Sequence, residues 1–228
     1  MKGKRSAVAS HPFILLFYMI SGKFNRLISF FHKKNSEKNY SHNESTRLVS
    51  ENGFIDDQSK ETEIKYGSKT FSHSGCALAA IYNAMKLLGS PMALSDIVRY
   101  FEKHGASFYA SFGTAPQAAI RFFRKQGIPV KWTASRKRFK DLAESSDIFL
   151  FTIMNNRRRI RSMLHTMCVE CLHENGPQTP SPRFIVHNSH GKAESYQSFE
   201  EMMQHLGDGE SRAEGVYMVA VKPIEPLS

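Results

Sequence analysis

Apolar positions recur at helical spacing through the first part of the chain's globular body and at strand spacing through the last part. The run from Cys76 to Leu88 keeps an apolar face, and Gly89 followed by Ser90-Pro91 supplies a C-terminal stop. A second helix carries Ile97, Val98, Tyr100 and Phe101, with Ser90 or Ser95 as its cap and Gly105 at its end. A third has Thr114 as cap, Pro116 in its first turn, and Ile120, Phe122 and Phe123 ahead of Gly127. The period then changes. Strands are predicted at Val130–Thr133, Ile148–Met154, Leu164–Leu172, Arg183–His187 and 216–221, at spacings that suit a meandering antiparallel sheet, with helical inserts at 138–143 and 198–206. Helices first and strands second predict an α+β fold, an N-terminal helical layer packed on a C-terminal antiparallel sheet with a groove where the layers meet.

Ahead of this body (66–228) the pattern breaks into a basic, apolar leader (1–35) and a stretch rich in Ser, Asn, Lys and Glu (36–65) that reads as a polar linker. The apolar part of the leader, 12–20, is shorter than the roughly 20 residues that cross a bilayer. Three readings of the leader stay open: an amphipathic anchor on a membrane surface, an export signal, and a helix packed on the domain. The protein is accordingly expected in the cytoplasm or at a membrane, with export the alternative.

The net charge of +10 changes this picture little. Residues 1–50 hold nine Lys and Arg against two acidic residues, so the remaining 178 residues carry only +3. Two basic runs, 136–138 and 157–161, lack aromatic interleaving or finger spacing, and nucleic acid is not an expected partner. No phosphate-binding glycine loop and no metal-ligand spacing is present, so no cofactor is expected. Asp96, Asp141 and Asp147 give glycosidase chemistry no support. Three cysteines are too few for a disulfide framework. Cys168 and Cys171 form a C-x-x-C pair on a predicted strand, where they point to opposite faces and cannot share a metal. Trp132 reads as core or groove wall.

Cys76 carries the chemistry. A lone cysteine on a helix is usually a packing residue. This one opens its helix, where free N–H groups and the helix dipole favour a thiolate nucleophile near neutral pH. Such a nucleophile needs a base and a group that orients the base. His165 opens one predicted strand and Asn188 closes the next, so pairing of these strands makes them neighbours, and the Asn188 side-chain oxygen can accept from the imidazole. His187 and His190 are alternatives for base or orienter, and the polar stretch 174–182 suits the connecting hairpin loop.

Gly75-Cys76 through Leu88-Gly89, Gly113-Thr114-Ala115-Pro116, His165 and Asn188 together resemble the papain-like cysteine peptidases, in particular the bacterial branch of double-glycine leader peptidases of bacteriocin export. The resemblance spans roughly 66–222 and implies a Cys76-His165-Asn188 triad, an acyl-enzyme intermediate, and a peptide or protein substrate. Acyl transfer by the same cysteine and a catalytically impaired peptide-binding module are the alternatives. The family's Gln, several residues before the cysteine, has no counterpart in 69–74; Ser72, His73 and Thr70 are the candidates for its oxyanion role.

Overall fold

The structure, a computed structural model, describes residues 13–18, 20–21, 32–49, 53–154, 164–173, 182–189, 191, 193–206 and 213–222. Among them lie helix α1 (Lys33–Ser45), the short pair β1 (Lys65–Tyr66) and β2 (Lys69–Thr70), and the single turn α2 (Phe71–Ser74). Helices α3 (Cys76–Leu87), α4 (Leu94–His104) and α5 (Pro116–Lys125) follow. The second half holds β3 (Val130–Thr133), α6 (Phe139–Glu144), β4 (Ile148–Met154), β5 (Leu164–Leu172), β6 (Arg183–His187), β7 (Glu194–Tyr196), α7 (Phe199–His205) and β8 (Glu214–Val221).

The class is α+β, and the sheet is antiparallel in the order β3-β8-β4-β5-β6-β7. Only β4 to β7 form the expected meander; β8, the last strand, inserts between β3 and β4. Its composition explains the place. Seven of its eight residues are buried, so both faces need cover, which an interior position supplies. The edges go to β3, with Lys131 and Trp132 exposed, and to the three-residue β7. Trp132 is thus not core: it is 51% exposed and lies beside Tyr217.

Strand alternation divides the interior in two. Ile148, Leu150, Cys168, Tyr217 and Val219 face α3 to α5, whereas Phe149, Phe151, Met167, Val169, Cys171, Met218 and Ala220 face α6 and α7. Cys168 and Cys171 fall on opposite faces, as the strand period requires, and both are free thiols. The sheet is therefore covered on both sides.

Helix ends differ in detail from expectation. Gly89 takes φ +68, and the Ser90 N–H reaches back to the Met85 carbonyl at 3.0 Å, the closure that a left-handed glycine permits. Ala93 and Ala115, not a serine or Thr114, occupy the N-cap positions of α4 and α5. The Thr114 hydroxyl is held instead by the Tyr66 hydroxyl at 2.8 Å.

The larger difference is upstream. The stretch read as a linker contains α1, a helix without an apolar stripe, docked through polar contacts. The Asn43 side chain brackets the Lys65 backbone, donating to its carbonyl at 2.9 Å and accepting from its N–H at 2.8 Å. Asn39 donates to the Gly67 carbonyl at 3.0 Å and to Glu102 at 2.7 Å. Residues 13–18 and 20–21 of the leader are helical, with Tyr18 and Ser21 buried against the body and Phe13, Leu16 and Ile20 exposed. Among the described residues no helix is long and apolar enough to cross a membrane.

Candidate functional site

Cys76 opens α3 directly after Gly75, which links it to the turn α2. A Cβ on Gly75 would lie 2.5 Å from the Phe71 carbonyl oxygen and 2.6 Å from its ring, so only glycine lets the two helical pieces meet this closely. The junction is fixed by Gly75 N–H to the Phe71 carbonyl at 2.7 Å and Ala79 N–H to the Gly75 carbonyl at 2.8 Å. Cys76 is thereby placed, partly exposed, at one side of a cavity of about 100 Å³ between the helical layer and the ends of β4 and β5. Tyr18, Gln58, His73, Thr114, His165 and Thr166 are among the residues that close it. A register shift between Thr152 and Ile153 sits at the same rim, where such bulges re-aim strand ends.

Burial pushes the Cys76 thiol up from its ordinary range. Hydrogen bonds from Thr166 (main chain and hydroxyl) and from the N–H groups of Ala77 and Cys76 oppose the shift without cancelling it. The N–H groups at the helix start act in the direction the sequence predicts, but desolvation outweighs them, so the thiol is shifted up and not toward the expected thiolate. The Thr166 hydroxyl also meets Thr152 at 3.0 Å. Tyr18 is buried beside the thiol, donates to the Phe112 carbonyl at 3.2 Å, and has its phenol pushed up by burial and by Cys76. The leader thus supplies a wall of the cavity.

His165 lines the same cavity, although strand alternation turns Leu164, Thr166 and Cys168, not His165, toward α3. Its Nε2 lies 2.7 Å from the main-chain carbonyl of Asn188. A carbonyl only accepts, so Nε2 carries the proton and Nδ1 of the neutral ring holds the lone pair. Burial lowers the pKa of this imidazole, and the Asn188 carbonyl bond works the other way.

The Asn188 side chain does not touch the imidazole as the sequence reading expected. Asn188 has φ +67, a left-handed turn that Asn tolerates, which directs its carbonyl to His165 and its side chain elsewhere. Its Oδ1 accepts from the Gln58 N–H at 3.0 Å and its Nδ2 donates to Gln58 Oε1 at 3.0 Å. His187 is engaged away from the cavity, with Nδ1 2.9 Å from Asp56 and its ring stacked on Phe54. His190, the basic run 157–161 and nearly all of the loop 174–182 lie outside the described residues. Of the oxyanion candidates, His73 lines the cavity, whereas Thr70 and Ser72 hydroxyls pair with each other at 2.8 Å.

Gln58 is the site residue that sequence reasoning missed. It stands 18 residues before Cys76, inside the supposed linker, and reaches the cavity because residues 53–60 are tied to the body. Asn83 on α3 brackets Ile55, accepting from its N–H at 2.8 Å and donating to its carbonyl at 3.0 Å. Lys86 holds the Gly53 carbonyl at 2.6 Å. The Gln58 amide donates to the Ser72 carbonyl at 3.2 Å, immediately before the Cys76 helix. A signal did exist: the resemblance implies a glutamine ahead of the cysteine, and Gln58 precedes Cys76 in the order Gln, Cys, His, Asn.

No family model matches the chain, and no curated protein matches it. Among solved structures it is similar to the peptidase domain of Streptococcus ComA, described as a bi-functional ABC transporter involved in a quorum sensing pathway, at 16% identity over 65% of this chain and 91% of that one, with a TM-score of 0.43.

Proposed function

We propose that this chain is a papain-like cysteine peptidase in which Cys76 is the nucleophile and His165 the base. The observation that carries the reading is the shared cavity: a thiol at a helix start, an imidazole whose Nε2–H is fixed by a carbonyl so that Nδ1 carries the ring's lone pair, and a glutamine amide at the same rim. Attack is coupled to proton transfer from the thiol to the imidazole. The Cys76 sulfur bonds to the scissile carbonyl carbon as its proton passes to Nδ1. Charge on the former carbonyl oxygen is met by the Cys76 N–H and by Gln58. The imidazolium then returns its proton to the departing amine, leaving an acyl-enzyme that water hydrolyses with His165 again as base.

The test is intact-mass analysis after exposure to a peptidyl chloromethyl ketone and to a peptide thioester. A single adduct on Cys76, lost in Cys76→Ser and slowed at least tenfold in His165→Phe, is the expected result. Equal, slow labelling of Cys76, Cys168 and Cys171 would overturn the proposal.

A noncatalytic peptide-binding module is the second reading. Thr166, held against the thiol in the position that strand alternation aims at α3, favours it. In that case peptides bind equally well to wild type and to Cys76→Ser, and no acyl-enzyme forms.

A further inference from the structure

The geometry points to Asn188 as the positioning residue of Gln58, with the Asn188 main-chain carbonyl, not its side chain, meeting His165. This inference deepens the proposed function and rests on it for the role of Gln58.

One left-handed residue serves both parts of the site. Asn188 is 2% exposed and directs its main-chain oxygen to His165 and its side-chain amide to Gln58. The contact with Gln58 is two-point: Oδ1 takes the main-chain N–H, which fixes where residue 58 sits, and Nδ2 takes Oε1, which fixes how its amide is turned. With Oε1 occupied by a donor, the NH₂ end must point the other way, toward Ser72 and the cavity. An amide nitrogen has two protons. The Ser72 carbonyl takes one, and the second is the donor assigned to the oxyanion.

The segment carrying Gln58 is held from both layers. Asn83 and Lys86 fasten residues 53–55 to α3, while the Asp56 carboxylate meets His187 and the Asp56 carbonyl accepts from Gly191 at 3.4 Å, beside Asn188. Donors fixed before the reaction stabilise developing charge without reorganising. Here the rigidity that an adjacent upstream glutamine would inherit from the helix is supplied by a long-range amide pair. An aspartate at 188 could still accept from the Gln58 N–H but would face Oε1 with a second acceptor, so the asparagine is specifically required.

The experiment separates the two jobs of residue 188. Asn188→Gly keeps the left-handed backbone, and with it the carbonyl on His165, while deleting the side chain; Asn188→Asp keeps the acceptor and deletes the donor. Three readouts are compared with Gln58→Ala and the double variant: iodoacetamide alkylation of Cys76 against pH, which forms no oxyanion; acylation by a peptide thioester, which does; and NMR of the His165 ring nitrogens and the Gln58 side-chain amide. The expected result is acylation slowed about 10²-fold in Asn188→Gly and Gln58→Ala, the scale of one oxyanion donor, with no further loss in the double variant. Alkylation profiles stay within twofold, His165 keeps its Nε2–H tautomer, and the Gln58 amide resonances shift. An altered His165 tautomer or alkylation profile in Asn188→Gly, with the Gln58 amide unmoved, would overturn the inference. Absence of acylation in the wild type would instead refute the peptidase reading, and the NMR comparison would still decide what Asn188 positions.

Discussion

Asn83→Ala should detach the segment that delivers Gln58 and lower stability by a calculable amount. Asn83 is fully buried on α3, and its side chain satisfies both main-chain groups of Ile55, itself 1% exposed. Truncation leaves one N–H and one C=O without partners, at about 1–3 kcal/mol each, offset by about 0.5 kcal/mol from the better helix propensity of alanine. The net loss is about 1.5–5.5 kcal/mol. With a urea m-value of about 2–3 kcal/mol/M, a loss of 3 kcal/mol moves the unfolding midpoint down by about 1 M. Hydrogen exchange adds the local readout: the Ile55 and Gln58 amides should exchange faster relative to those of β4, because the segment opens before the sheet does. Asn83→Asp separates the two bonds, since it still accepts from the Ile55 N–H but sets a carboxylate against the Ile55 carbonyl; it should remain destabilised. A loss below 1 kcal/mol in Asn83→Ala, with Ile55 and Gln58 exchange unchanged, would refute the claim that this pair holds the segment.

The remaining predictions address the site and its pH dependence. The His165 pKa is lowered by burial, so its NMR titration midpoint should lie below the ordinary 6.5; the unfolded chain takes up this proton first as pH falls, and stability attributable to His165 is lost as pH drops below about 6.5 toward the folded midpoint, a loss that His165→Phe removes. The thiols shift the other way: burial raises Cys76 and Cys168, and Cys171 is pushed up to about 12. Above the unfolded thiol pKa of about 8.5 the native state holds more protons, so stability falls with rising pH by about 1.4 kcal/mol per unit for each fully buried thiol. Urea midpoints that stay level between pH 8 and 10 would contradict this. Gly75→Ala places a methyl 2.5 Å from the Phe71 carbonyl, which should cost about 1–3 kcal/mol in urea unfolding and displace Cys76, read as slower alkylation of that thiol.

Local chemistry made much of this protein legible before folding. Helical spacing from Cys76 to Leu87, the glycine stops and the strand runs Ile148–Met154 and Leu164–Leu172 are short-range properties, and the structure places the elements there. Cys76 at a helix start follows from the same local reading. Two features were not legible because no local pattern encodes them. The docked segments of 33–65 are polar and are held by asparagine side chains: Asn43 and Asn83 bracket the main chain of Lys65 and Ile55, and Asn188 pairs with the main-chain N–H and side-chain oxygen of Gln58. Hydrogen bonds between residues as many as 130 positions apart leave no hydrophobic period, so composition alone made this stretch a linker and hid Gln58 within it. The orientation of Asn188 was equally out of reach, since a single left-handed φ decides whether its side chain or its carbonyl meets the imidazole. The sequence by itself determined the α+β layering and the candidate nucleophile, because periodicity and helix ends are set by neighbours along the chain. Only the tertiary structure decided which amide shares a cavity with that thiol and which atom of Asn188 holds His165, because those choices rest on hydrogen bonds that exist only once distant segments are packed together.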